Sequence, residues 1–134
     1  MRHYIPDENG EPRVATMEEW GEWFNTAEDR HVAETFTELT RVSTVFLGID
    51  HRFTGEGPPI LWETMVFDRH PHLHEMFGEL REVFEDLDMW RWSSLADAKK
   101  GHAEIVMDII RNEQANAGLV AKVLEKAKQG VGDE

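Results

Sequence analysis

The sequence predicts an α+β fold: an antiparallel sheet of about four strands packed against helices, with a long C-terminal helix. Three observations predict it. Segments 41–50 and 60–67 are rich in Val, Thr and aromatic residues, the composition that suits a half-buried pleated surface. The connection between them holds Gly55, Gly57, Pro58 and Pro59 and is too short for a parallel crossover, so the pair is antiparallel. From Leu95 onward, apolar residues recur at helical spacing for most of the remaining chain.

The elements follow in order. Tyr4-Ile5 and Arg13-Val14 flank a Pro6 to Pro12 segment in which Asn9-Gly10 supplies the positive φ angles of a tight reversal, so a short hairpin is expected. Thr16, with Glu19 three residues later, has the form of a capping box, and Trp20, Trp23 and Phe24 then recur at helical spacing. A helix over 17–25 is expected, followed by a Thr- and Val-rich strand over 31–39 and the strands 41–50 and 60–67. Pro71 suits a first helical turn, and Leu73, Met76, Phe77, Leu80, Val83, Phe84 and Leu87 keep one apolar face; this predicts a helix over 71–87. Met89 to Trp92 supplies a fourth strand. Ser94 caps a helix over 94–111, with Asp97 in its first turn and Leu95, Ala98, His102, Ile105, Ile109 and Ile110 on its buried stripe. The helical pattern extends over 112–129 through Leu119, Val120, Val123, Leu124 and Ala127, which predicts a projecting extension that pairs with another copy, a homo-oligomer contact. Residues 130–134 read as a frayed tail.

The 134 residues, 40% hydrophobic, fit one domain with a core that needs no staples. The absence of cysteine excludes disulfide frameworks, thiolate zinc sites, iron–sulfur clusters and cysteine nucleophiles. No apolar run approaches the roughly 20 residues that span a bilayer, and the N-terminal residues lack the apolar core of a signal peptide, so a cytosolic protein with no membrane partner is expected. The net charge is −13, and residues 1–92 carry 20 acids against 8 arginines. Direct nucleic-acid binding is not expected, because phosphate contact depends on clustered Lys and Arg; basic protein surfaces are the matching partners. Gly55-Glu56-Gly57 lacks the lysine and the strand-to-helix setting of a phosphate loop, and no Gly-x-Ser-x-Gly elbow is present.

Several strings resemble a family. Glu19-Trp20-Gly21-Glu22-Trp23-Phe24, Arg41-Val42-Ser43-Thr44-Val45-Phe46-Leu47-Gly48-Ile49-Asp50-His51, Trp62-Glu63-Thr64-Met65-Val66-Phe67 and Ala98-Lys99-Lys100-Gly101-His102 are similar to strings in a group of small uncharacterised proteins from tailed bacteriophages and prophages. The resemblance spans roughly residues 4 to 106 and implies a viral or prophage origin, a bacterial host cell as location and an α+β fold; it implies no activity. Shorter members pass almost directly from the Glu-Thr-Met-Val-Phe strand to the next, so 71–87 is expected to be an inserted helix and 112–129 an extension.

Two candidate sites emerge from the residues. Strand alternation puts Glu63 on one face with Leu61, Met65 and Phe67, a carboxylate among apolar groups. His102 lies on the buried stripe of its helix beside Gly101, and His51 ends a strand where the glycine-rich loop begins. If the helix packs on the Glu63 face, Glu63 and His102 meet with His51 at the rim. Such a set is a general acid/base pair, or two histidines and a carboxylate for a divalent metal; otherwise it is a buried hydrogen-bonded structural pair. No other cofactor is expected. The second site is the acidic stripe of the expected helix, where Glu75, Glu79, Glu82 and Asp86 recur about every turn and suit a basic host or phage protein surface. Protein binding through this stripe is the favoured function; a small enzyme or metal protein built on Glu63, His102 and His51 is the alternative. The His70, His72 and His74 cluster reads as helix-start residues, and the five tryptophans as core and rim packing.

Overall fold

A computed structural model describes residues 2–27, 30–52, 55–83 and 86–132. The chain opens with a hairpin, β1 (His3–Pro6) and β2 (Pro12–Ala15), closed where Asp7 Oδ1 accepts from the N–H groups of Asn9 and Glu11 at 2.8 and 2.9 Å and Gly10 takes φ +80°. Helix α1 (Met17–Thr26) begins with the expected capping box. The Thr16 hydroxyl accepts from Glu19 N–H and the Glu19 carboxylate accepts from Thr16 N–H, which satisfies two donors that the first turn leaves orphaned.

The central sheet has the order β3-β4-β5-β8, all antiparallel, from β3 (His31–Phe36), β4 (Thr40–Phe46), β5 (Trp62–Asp68) and β8 (Asp86–Trp92). Between β4 and β5, Asp50 Oδ1 clamps the loop ends by accepting from Arg52 N–H and Ile60 N–H, each at 2.9 Å. The long helix α2 (Leu95–Gly132) crosses one face only. In the β4–β5 register, Val42 pairs with Val66, Thr44 with Thr64 and Phe46 with Trp62; these alternate positions face α2 and are all buried.

The core beneath α2 comes in two parts: Tyr4, Phe46, Leu61, Trp62 and Ala98 at one end, and Val42, Val66 and Val106 with Trp90, Ile105 and Ile109 at the other. Gly101 lies over the Trp92 indole so closely that a Cβ there would sit 2.2 Å from a ring carbon. The glycine therefore makes room for the Trp92 side chain. Past Glu113, whose Oε2 accepts Glu38 N–H at 3.1 Å, α2 runs on with Leu119, Val120, Val123 and Leu124 exposed. The helical extension over 112–129 is present and continues to Gly132, into the segment expected to fray; Asp133 and Glu134 lie outside the described residues.

The expected helix over 71–87 is replaced by a hairpin of β6 (His72–Met76) and β7 (Glu79–Val83). Its turn is Phe77-Gly78, with φ +54° and +78°, and two central residues with positive φ define the turn that matches strand twist. The segment connects the neighbouring antiparallel strands β5 and β8 and forms a two-stranded sheet of its own. A helix would have needed a surface for its apolar face. Leu73 and Leu80 instead stand exposed. Phe84 and Glu85 lie outside the described residues.

Candidate functional site

His102 is the centre of a buried polar chain between the two halves of the core. Its Nδ1 lies 2.8 Å from Thr44 Oγ1, which lies 2.6 Å from Thr64 Oγ1, and its Nε2 lies 2.9 Å from Thr35 Oγ1. The far end is fixed by Trp92, whose indole N–H donates to Thr64 Oγ1 at 2.9 Å. An indole can only donate, and the order in which Thr64 donates to Thr44, Thr44 to Nδ1 and Nε2–H to Thr35 places one proton in each hydrogen bond around a neutral ring. An imidazolium would reverse the Thr44 bond and leave the Thr64 proton without an acceptor in this chain. Burial acts in the same direction and holds the His102 pKa below its ordinary value.

Glu63 is on the other face. It is 9% exposed and His102 6%, so both are buried as their registers predict. But α2 packs on the Trp62, Thr64 and Val66 side of β5, and Glu63 faces away from it. There Glu63 sits directly across from Arg91 and its Oε2 accepts from Arg91 Nε at 3.2 Å. His51 is at neither place: it follows β4 at the mouth of the 51–60 loop, with Nδ1 2.8 Å from Ile49 O and its N–H donating to Ile60 O.

The meeting of Glu63, His102 and His51 is thus corrected. Two consecutive strand positions point to opposite faces, and the helix packs on the threonine face, where the histidine meets the hydroxyls of Thr44 and Thr35. An acid/base pair of Glu63 and His102, or a metal site of these three residues, has no common space in which to act. Among the described residues, no three His, Asp or Glu side chains gather as a metal site.

The acidic stripe is corrected as well. In the hairpin register Glu75 pairs with Leu80 and Glu82 with Leu73, so Glu75 and Glu82 share one face with the two leucines. Glu79 falls on the other face, where its carboxylate meets Arg81 at 3.4 Å, and Asp86 begins β8. What the segment presents is a checkerboard of two leucines and two glutamates. At its tip Phe77 is 98% exposed.

The tryptophans pack as expected. Trp62 is buried, Trp23, Trp90 and Trp92 lie against the core, and Trp20 Nε1 donates to Leu47 O at 3.1 Å. His72 and His74 are strand residues of β6 rather than helix-start residues. The threonine partners of His102 were not singled out in the sequence, although the alternation of Thr44 and Thr64 with apolar neighbours on facing strands is a readable signal of a polar line through the core.

No protein-family model matches the chain, no curated protein matches it and no solved structure matches it. Among the described residues, no helix is long and apolar enough to cross a membrane.

Proposed function

We propose that the chain is a phage-type accessory protein that acts by protein binding in the bacterial host cytoplasm, with the β6–β7 hairpin as its binding element. One observation carries the reading: Phe77, an aromatic residue, occupies the first position of the turn at φ +54° and is 98% exposed, between Leu73 and Leu80 at 68% and 72%. A non-glycine residue in left-handed conformation is strained, and three large apolar side chains in water gain nothing for the isolated fold. Both features are accounted for if the tip enters a partner's pocket. Glu75, Glu79 and Glu82, with Asp86 and Asp88 at the hairpin base, give the element a negative rim, so the partner surface is basic. The resemblance to phage and prophage proteins supports the accessory role, and on that reading the hairpin is an insertion relative to the shorter members.

The exposed Val120 and Leu124 of α2 support pairing of the C-terminal helix with a second copy. The enzyme and metal alternative loses its basis with the separation of Glu63 from His102. The test of the hairpin reading is a pull-down from bacterial lysate with the parent and with Glu75→Gln/Glu82→Gln, at low and high salt. A basic partner retained by the parent at low salt and lost in the other three conditions supports it; identical captures in all four conditions overturn it.

A further inference from the structure

The sheet face opposite α2 holds a hollow of about 280 Å³. Its floor is Val45, Met65 and Phe67, and Arg30, Arg41 and Ser43 also line it. The geometry points to a binding site for a small organic carboxylate, with an aryl or short alkyl body on Val45, Met65 and Phe67, its carboxylate between the Arg30 and Arg41 guanidinium groups, and the Ser43 hydroxyl donating to one oxygen.

Three independent features converge on this ligand. The first is Ser43, which lines the hollow, has no side-chain hydrogen bond among the described residues and so has a hydroxyl free to donate to an occupant. The second is charge. Arg30 lies 3.8 Å over the Phe24 ring with no carboxylate partner among the described residues, and Arg41 lies 4.4 Å over the Phe67 ring. Among the described residues the acid that meets Arg41 is Glu34, whose Oε2 is 3.8 Å from Arg41 Nη1 and 3.6 Å from His31 Nε2; two guanidinium groups against that one described carboxylate give the hollow a local positive surplus, in a chain of net charge −13, and a small surplus matches a monoanion better than a phosphate dianion. The third is size: ligand pockets begin at about 300 Å³, so the occupant is small. Guanidinium groups placed over aromatic rings keep N–H donors available for bidentate contact with a planar carboxylate.

The experiment is an NMR titration of the full chain with phenylacetate, with its neutral isostere phenylacetamide, and with inorganic phosphate. Phenylacetate is expected to shift the amides of Ser43, Val45, Met65 and Phe67 saturably, phenylacetamide to bind about tenfold more weakly or worse, and phosphate, which lacks the apolar body, to leave these amides unshifted. Arg41→Gln should weaken phenylacetate severalfold and leave phenylacetamide unchanged, and Ser43→Ala, which removes a donor that an oxygen of either ligand can use, should weaken both. If either variant shows a lowered unfolding midpoint, the acid-against-amide comparison on the parent decides alone. The site is overturned if phenylacetate gives no saturable shifts at about 20 mM, above the millimolar dissociation constant that a ligand of this size should show. Equal binding of acid and amide, or shifts confined to other residues, overturns it too.

Discussion

Thr44 Oγ1 lies 2.8 Å from His102 Nδ1, on the face of the sheet that Glu63 turns away from. That one contact converts the most enzyme-like pair in the sequence into two unrelated structural devices, a neutral histidine in a hydroxyl chain and a carboxylate paired with Arg91.

His102 makes stability depend on pH. Its folded pKa is depressed by burial, so below the ordinary imidazole value of about 6.5 the unfolded chain takes up a proton that the folded chain resists. Its stabilising contribution is complete above that value and declines as pH falls toward the folded pKa, at up to about 1.4 kcal/mol per pH unit. Urea midpoints at about pH 7.5 and about pH 5.5 measure this. His102→Gln should show a smaller loss between the two; an equal loss in parent and variant would place the titration elsewhere.

Gly101→Ala should destabilise by about 1–3 kcal/mol through overpacking, because the new Cβ meets the Trp92 ring at 2.2 and 2.3 Å. The double variant with Trp92→Phe should cost less than the sum of the singles, since the smaller ring retreats from the same contact. Strict additivity in denaturant unfolding would contradict the packing.

How much of this was legible in the sequence differs from element to element. The capping box at Thr16 and Glu19, the central strand pair and the long helix were readable because each is specified by residues close together in the chain. The β6–β7 hairpin was not, since Leu73, Met76, Phe77 and Leu80 satisfy a helical period as well as they fill a ribbon, and Phe77 is an unusual first residue for a turn of positive φ. Gly78, at φ +78°, is the one local mark of the turn, and a lone glycine does not by itself break a helical period. For the site, burial of Glu63 and His102 followed from their local registers, whereas which face of the sheet α2 covers depends on tertiary packing. The hollow lined by Arg30, Arg41 and Ser43 was hidden for the same reason, as it exists only because the opposite face is left open.

Glu63 works as an ion-pair partner rather than a metal ligand. A chelator should leave the thermal midpoint unmoved, as judged by calorimetry with and without it. Arg91→Ala should lower stability by about 1 kcal/mol, a modest figure because the Arg91 side chain is 38% exposed while that of Glu63 is 11% exposed. A chelator-sensitive midpoint would reinstate metal binding.

Phe77→Asn should stabilise the fold by about 0.5–1 kcal/mol, since Asn tolerates positive φ and Asn-Gly is a favoured pair for this turn. The same variant should lose partner binding. Unfolding midpoints and the pull-down, run on one preparation, separate the two effects, and a variant that is both less stable and fully binding would contradict each.

The measurement that bears most directly on the hairpin as binding element is site-specific photo-crosslinking in bacterial lysate, with a photoreactive phenylalanine analogue at position 77 and, as control, at Met107 on the exposed side of α2. The account predicts a discrete covalent adduct with a basic protein from position 77, weakened by high salt and by Glu75→Gln/Glu82→Gln, and absent from position 107. No adduct from position 77, or the same adducts from both positions, would contradict it.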